Sequence, residues 1–208
     1  MRKRGGRILV GGVGAFVLPL LILSAAGLRG IPRPYRALRV RAARILSRIP
    51  ADCAFLAEKV GPRLFALQRR RITVVDVSDP SNPTIEGRAN LAALGVLRMD
   101  GIAPVGEEAL AVSDGFSDAL YILSASPEPQ LLGKVAVQEG SFVWEGQHTV
   151  ASSGSAVYVA RRRKLVVVDA SDPQNPKVVK ALDVEAKRVA ASGERGCVGS
   201  VGTFTALD

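Results

Sequence analysis

The chain has 208 residues, 48% of them hydrophobic but only 5% aromatic, and a formal charge of +9. That leaves room for one ordinary domain and an appendage, with a core of Val, Leu, Ala and Ile. The positive charge raises nucleic acid as a partner, but its placement argues against one. Residues 1–50 carry eleven of the 28 basic residues and none of the 19 acidic ones, so 51–208 has a net charge of −2.

The chain opens on "MRKRGGR", followed by 21 uncharged positions, residues 8–28. As a helix such a run covers about 30 Å, enough to cross a bilayer core. It also reads as a signal peptide, with small residues at Ser24–Ala26 for cleavage. Residues 1–28 are thus expected to be a signal peptide or a transmembrane anchor. The arginines after the run outnumber the basic residues before it, which by the positive-inside rule would keep an uncleaved body in the cytoplasm. Cleavage or translocation would place it outside, so export and a cytoplasmic-face orientation both stay open. Residues 29–50 form a basic juxtamembrane segment. Within it "YRALRVRAARILSRI" (35–49) sets Leu38, Ala42, Ile45, Leu46 and Ile49 near one helical face, suited to lie against membrane lipid.

From residue 51 the chain repeats itself. "ITVVDVSDPSNP" (72–83) and "LVVVDASDPQNP" (165–176) share eight of twelve positions, 93 residues apart. "ALYILSASPEPQLLG" (119–133) supplies a weaker middle copy, with Pro83, Pro129 and Pro176 in register and Gly87 matching Gly133. In this alignment Ile122 falls where Asp76 and Asp169 stand. A period of this length indicates a repeat architecture. Each period reads as four short strands, in the third copy 148–152, 156–160, 165–170 and 177–184. The third of these puts β-branched residues on both faces, as a strand covered on both sides requires. The expected fold is all-β: a β-propeller-like array of four-stranded antiparallel blades at about 54–98, 99–145 and 146–188, with a partial blade at 189–208.

The double-proline segment has its own logic. Asp79 and Asp172 can accept a backbone N–H, Pro80 and Pro173 preset φ for a type I turn, and Pro83 and Pro176 open an edge strand that tolerates a missing donor. With Asp76 and Asp169 these are structural turn residues. Two carboxylates per turn fall short of the roughly 6–8 oxygens that calcium takes.

The quoted segments resemble the LVIVD repeat, over about residues 54–208. The resemblance implies a β-propeller of the kind found in bacterial and archaeal surface or exported proteins, with a binding role and no catalytic residues to carry over. Three blades and three strands of a fourth either close a minimal ring, complete themselves by association with a second copy, or represent a shortened member.

No catalytic, metal or cofactor constellation stands out. His148 is the sole histidine, and Cys53 and Cys197 are not at metal spacing; they are a candidate disulfide if first and last blades meet in an oxidising compartment. A candidate interaction face comes from the equivalent hairpins of the three copies: Arg69, Arg70 and Arg71 in the first, Asp114 and Asp118 in the second, Arg161, Arg162, Arg163 and Lys164 in the third. The expectation is a membrane-anchored or exported binding module with an unnamed protein or glycan partner. An exported propeller enzyme, with Asp76, Asp169 or His148 at its channel, is the alternative, beside a cytoplasmic-face scaffold.

Overall fold

The structure is a computed structural model that describes residues 56–68, 70–137, 149–161, 163–193, 195–200 and 203–207. The chain divides into two units, Met1–Ile45 and Leu46–Asp208; every described residue belongs to the second. Residues 1–50, expected to hold the signal peptide or anchor and the basic segment, lie outside the described residues, as do Cys53, Arg69, His148, Arg162 and Asp208. Among those described, no helix is long and apolar enough to cross a membrane.

The body is all-β, with each sheet built from strands consecutive in sequence and antiparallel. Blade 1 holds β1 (Leu56–Val60), β2 (Arg63–Gln68), β3 (Arg71–Asp76) and β4 (Thr84–Asn90). Blade 2 holds β5 (Met99–Val105), β6 (Ala109–Asp114), β7 (Ala119–Ser124) and β8 (Leu131–Ala136). Blade 3 holds β9 (Thr149–Ser153), β10 (Ala156–Arg161), β11 (Lys164–Asp169) and β12 (Lys177–Leu182). Among the described residues blade 4 has three strands, β13 (Arg188–Ser192), β14 (Arg195–Ser200) and β15 (Thr203–Leu207).

The blades stack face to face. Phe65, Leu67, Ile72 and Val74 of blade 1 meet Leu110, Val112, Tyr121 and Leu123 of blade 2 in one core. Ala111, Leu120 and Ile122 turn the other way, onto Val157, Val159, Val166 and Val168 of blade 3. A smaller core joins Ala160 and Leu165 to Val198 of blade 4. The middle strands are therefore apolar on both faces, which is why β7 and β11 lack a polar alternation. Each fully buried Leu, Ile, Val or Phe contributes about 1.5–3 kcal/mol. The innermost strands pack in the order β1, β5, β9, β13.

The inner hairpins share one device. Gly61, Gly106, Gly154 and Gly193 all have φ between 55° and 59°, a conformation in which a side chain is strained, and they recur at the first turn of all four blades. Three of the four inner hairpins turn in two residues, and Val105 to Ala109 turns in three.

The middle copy departs from its expected register. Ile122 does not stand at the strand end; it is fully buried in mid-β7, opposite Gly133, at a bulge that β3 has at Val74 and β11 at Val167. Ser124 ends β7 as Asp76 ends β3 and Asp169 ends β11. The segment from strand end to proline is two residues shorter in blade 2, so alignment on the prolines displaced the aspartate position by two.

A second recurring contact ties blade to blade. A Cβ on Gly87, in β4, would run into the carbonyl of Pro127, whose carbon lies at 2.8 Å. A Cβ on Gly133, in β8, would meet the carbonyl of Pro173, Pro176 Cδ at 2.8 Å and Gln174 O at 2.9 Å. The turns of blades 2 and 3 thus each sit against the bare backbone of the preceding blade's outer strand. Pro176 is buried in this contact and Pro129 is buried as well, whereas Pro83 is only partly covered. Lys180 is the equivalent residue of blade 3, opposite Val167, and Val179 beside it is 60% exposed. Gly87→Ala and Gly133→Ala are expected to lower stability by roughly 2–3 kcal/mol, because a backbone carbonyl cannot swing aside. Lys180→Ala should stay within about 0.5 kcal/mol. Urea midpoints of the three variants check this.

Candidate functional site

The hairpins β2–β3, β6–β7 and β10–β11 open on the same face as the segments that link one blade to the next. The link from blade 1 to blade 2 begins with a short 3-10 helix, Leu91–Leu94, capped by the Asn90 side chain and ended by Gly95 at φ 86°. Leu91 and Val96 are buried, which pins the link to the core and leaves Leu97 and Arg98 beside the β6–β7 hairpin. The Tyr121 hydroxyl donates to Gly95 O at 2.8 Å and holds the turn down.

Asp114 is the hub. It is fully buried, and its carboxylate accepts from Leu97 N (2.8 Å), Arg98 N (3.1 Å), Phe116 N (2.9 Å) and Ser117 Oγ (3.0 Å). An acidic tip was expected here. The position instead closes β6, one residue too early to reach solvent, and the carboxylate organises two loops from within. Such a group, buried but saturated with donors, is stable only because those bonds replace water.

Asp118, at φ 49°, faces the next blade and accepts from Arg161 Nη2 at 2.7 Å. Arg161 is only 5% exposed, so this ion pair is a seam between blades 2 and 3. Arg70 reaches the other way and donates from Nε to Leu97 O at 3.0 Å. Arg98 is paired with Asp100 at 2.9 Å. Arg71, Arg163 and Lys164 stand exposed, and Lys164 lies 3.9 Å from Asp183. Of the sequence-predicted face, Arg70, Arg71, Arg163 and Lys164 are surface groups; Asp114, Asp118 and Arg161 are structural. Two surface residues were missed, Leu97 and Phe116, each 40% exposed. Nothing in their periodicity distinguishes them from core residues.

The double-proline turns stand at the opposite ends of the strands. Asn82 N donates to Asp79 O and Asn175 N to Asp172 O, both at 3.0 Å, closing the expected four-residue turns. Asp79 Oδ1 accepts from Ser81 N at 2.9 Å, and Asp172 accepts from Gln174 N at 3.0 Å and Asn175 Nδ2 at 2.8 Å. Asp76 and Asp169 accept from Ser78 N and Ser171 N, two residues on. Ser124 does the same work in blade 2, accepting from Gln130 N at 2.9 Å. The backbone N–H of Ser78 holds the Asp76 carboxyl below its ordinary range, Ser171 does so for Asp169, and the Asn175 side chain leads for Asp172. Cys197 is a free, half-buried thiol in β14; its candidate partner Cys53 is outside the described residues.

The LVIVD repeat family matches residues 66–90 and 148–184. The chain carries LVIVD repeats. The matched stretches fall on blades 1 and 3, and blade 2, with Ser124 at the strand end and the shortened turn, lies outside them. No curated relative matches the chain. Among solved structures, hydrazine synthase of Kuenenia stuttgartiensis is similar at 16% identity with a TM-score of 0.54, covering 78% of this chain and 48% of that one. A protein from Lactobacillus plantarum is similar at 12% identity and 0.54, over 74% and 54%. The WD40 repeats of RRP9 are similar at 15% and 0.50, over 70% and 47%. At these identities the likeness is one of fold, and the LVIVD-repeat chain spans about half the length of those proteins.

Two outcomes follow from this geometry. Asp118→Asn leaves Arg161 buried without its counter-charge and is expected to cost at least about 2 kcal/mol; adding Arg161→Met should recover most of that loss. A double-mutant cycle on denaturation midpoints reads it. Second, lowered carboxyl pKa values in the folded state mean that Asp76, Asp169 and Asp172 support stability above the unfolded value near 4, and that this support is lost as pH falls below it. Glu58, whose carboxyl is pushed up by burial, acts in the opposite sense. Thermal midpoints should fall below about pH 4, and Asp76→Ser with Asp169→Ser should flatten that acid limb.

Proposed function

We propose that the LVIVD-repeat chain is an interaction module: a propeller-like array that binds a protein or glycan partner, and that residues 1–50 anchor at a membrane or direct to export. The observation that carries the binding reading is the division of labour on the hairpin face. The carboxylates of its middle hairpin are spent inside the fold, on Leu97, Arg98, Phe116, Ser117 and Arg161, while apolar and basic side chains around them are presented outward. A rigid scaffold that exposes such side chains from several loops suits recognition. The carboxylates on which an enzyme reading would draw, Asp76 and Asp169, end the third strands of two different blades, each occupied by its own turn.

The charge partition supports the anchored or exported address. Eleven basic residues and an uncharged run of 21 are gathered in the first 50 positions, ahead of a body with a net charge of −2. Protease added to intact cells decides between export and a cytoplasmic-face scaffold. An exported module is digested in its body while a cytosolic marker survives; protection of the body until the cells are lysed would favour the scaffold instead.

A further inference from the structure

In sequence the hairpin face alternates basic, acidic, basic. Folding removes the acidic member. Asp114 is fully buried, Asp118 is paired with Arg161 at 2.7 Å, and Asp100 is paired with Arg98 at 2.9 Å. What remains at the surface here is an apolar centre, Phe116 and Leu97, each 40% exposed, between the exposed arginines of blade 1 and Arg163 of blade 3, with the exposed Asp183 beside Lys164 in the link that follows blade 3. The centre is held rigid, since the backbone N–H groups of both Leu97 and Phe116 donate to the one Asp114 carboxylate.

We propose that this face docks an acidic polypeptide segment that lays an apolar side chain on Phe116 and Leu97 and sets carboxylates against Arg70, Arg71 and Arg163. The proposal rests on the binding-module reading and names its surface and partner chemistry. Sheets packed face to face lie roughly 10 Å apart, so the tips of blades 1 and 3 are about 20 Å from each other, the span of six or seven extended residues. An apolar anchor inside a charged rim is the arrangement in which the centre supplies affinity and the rim supplies orientation and rate. A bilayer surface fits less well. Phe116 and Leu97 are more than half covered and tied down by Asp114, so neither projects as a membrane-inserting side chain must.

The test places a photoreactive phenylalanine analogue at Phe116, at Val179 or at Phe204, one at a time, in the full chain within the cells that make it. The expected result is a cross-link from position 116 to a polypeptide whose attached segment is rich in Asp or Glu around an apolar residue. Arg71→Glu with Arg163→Glu, both on exposed groups, should reduce that cross-link at least about fivefold through like-charge repulsion, while the thermal midpoint stays unchanged. Cross-links confined to positions 179 or 204 would overturn the face but keep the binding module. Lipid adducts at 116, or a polypeptide adduct undiminished by the charge reversal, would overturn the acidic segment as occupant. No adduct at any of the three positions would count against the binding-module reading itself.

Discussion

The array depends on one close approach: a turn carbonyl of blade 2, and likewise of blade 3, lies against the bare Cα of a glycine in the outer strand of the blade before it. Gly87 receives Pro127 in this way, and Gly133 receives Pro173. Hydrophobic contact alone would let two sheets slide, because burial is nearly indifferent to direction. A carbonyl that fits only where no Cβ exists fixes both the height and the angle at which blades meet. The double-proline segment makes that turn stiff, and the buried Pro176 adds apolar cover to the contact at Gly133.

On the opposite ends of the strands polar seams do the comparable job. Asp114 gathers the blade 1–2 link and its own hairpin, and Asp118 holds Arg161 of the next blade. These seams withdraw the carboxylates of the middle hairpin, and what that hairpin leaves outward is apolar, between basic neighbours. Stability and recognition are therefore coupled through the same residues. The acid groups that build the scaffold are also the ones whose withdrawal gives the face its sign.

Much of this was legible from the chain. The repeated "VVDVSDPSNP" pattern defined the strands, the turn and the stacking of β-branched faces, because period, turn chemistry and burial on both sides of a strand all leave marks in sequence. The glycines at 87 and 133 were seen to match, but not their purpose, since the carbonyls they admit come from another blade. Ile122 was misplaced by two residues because a shortened turn keeps the prolines in step while the strand end shifts. Asp114 was misplaced for a similar reason: it looks like a loop carboxylate, and only the fold shows that the link from Leu91 to Arg98 closes over it. Three of the groups that matter there, Leu97, Phe116 and Arg161, carry side chains whose type contradicts their place, two apolar at the surface and one cation buried.

If the turn-on-glycine contact is what unites the blades, then blades 1 to 3 form one cooperative unit and the outer strand of blade 3, with Lys180 in place of glycine, marks its end. Native-state hydrogen exchange tests this most directly. The account predicts that amides in β2, β3, β6, β7, β10 and β11 share a common opening free energy, and that those of β12 and β13–β15 exchange through smaller, separate openings. A separate opening free energy for each of blades 1, 2 and 3 would contradict it.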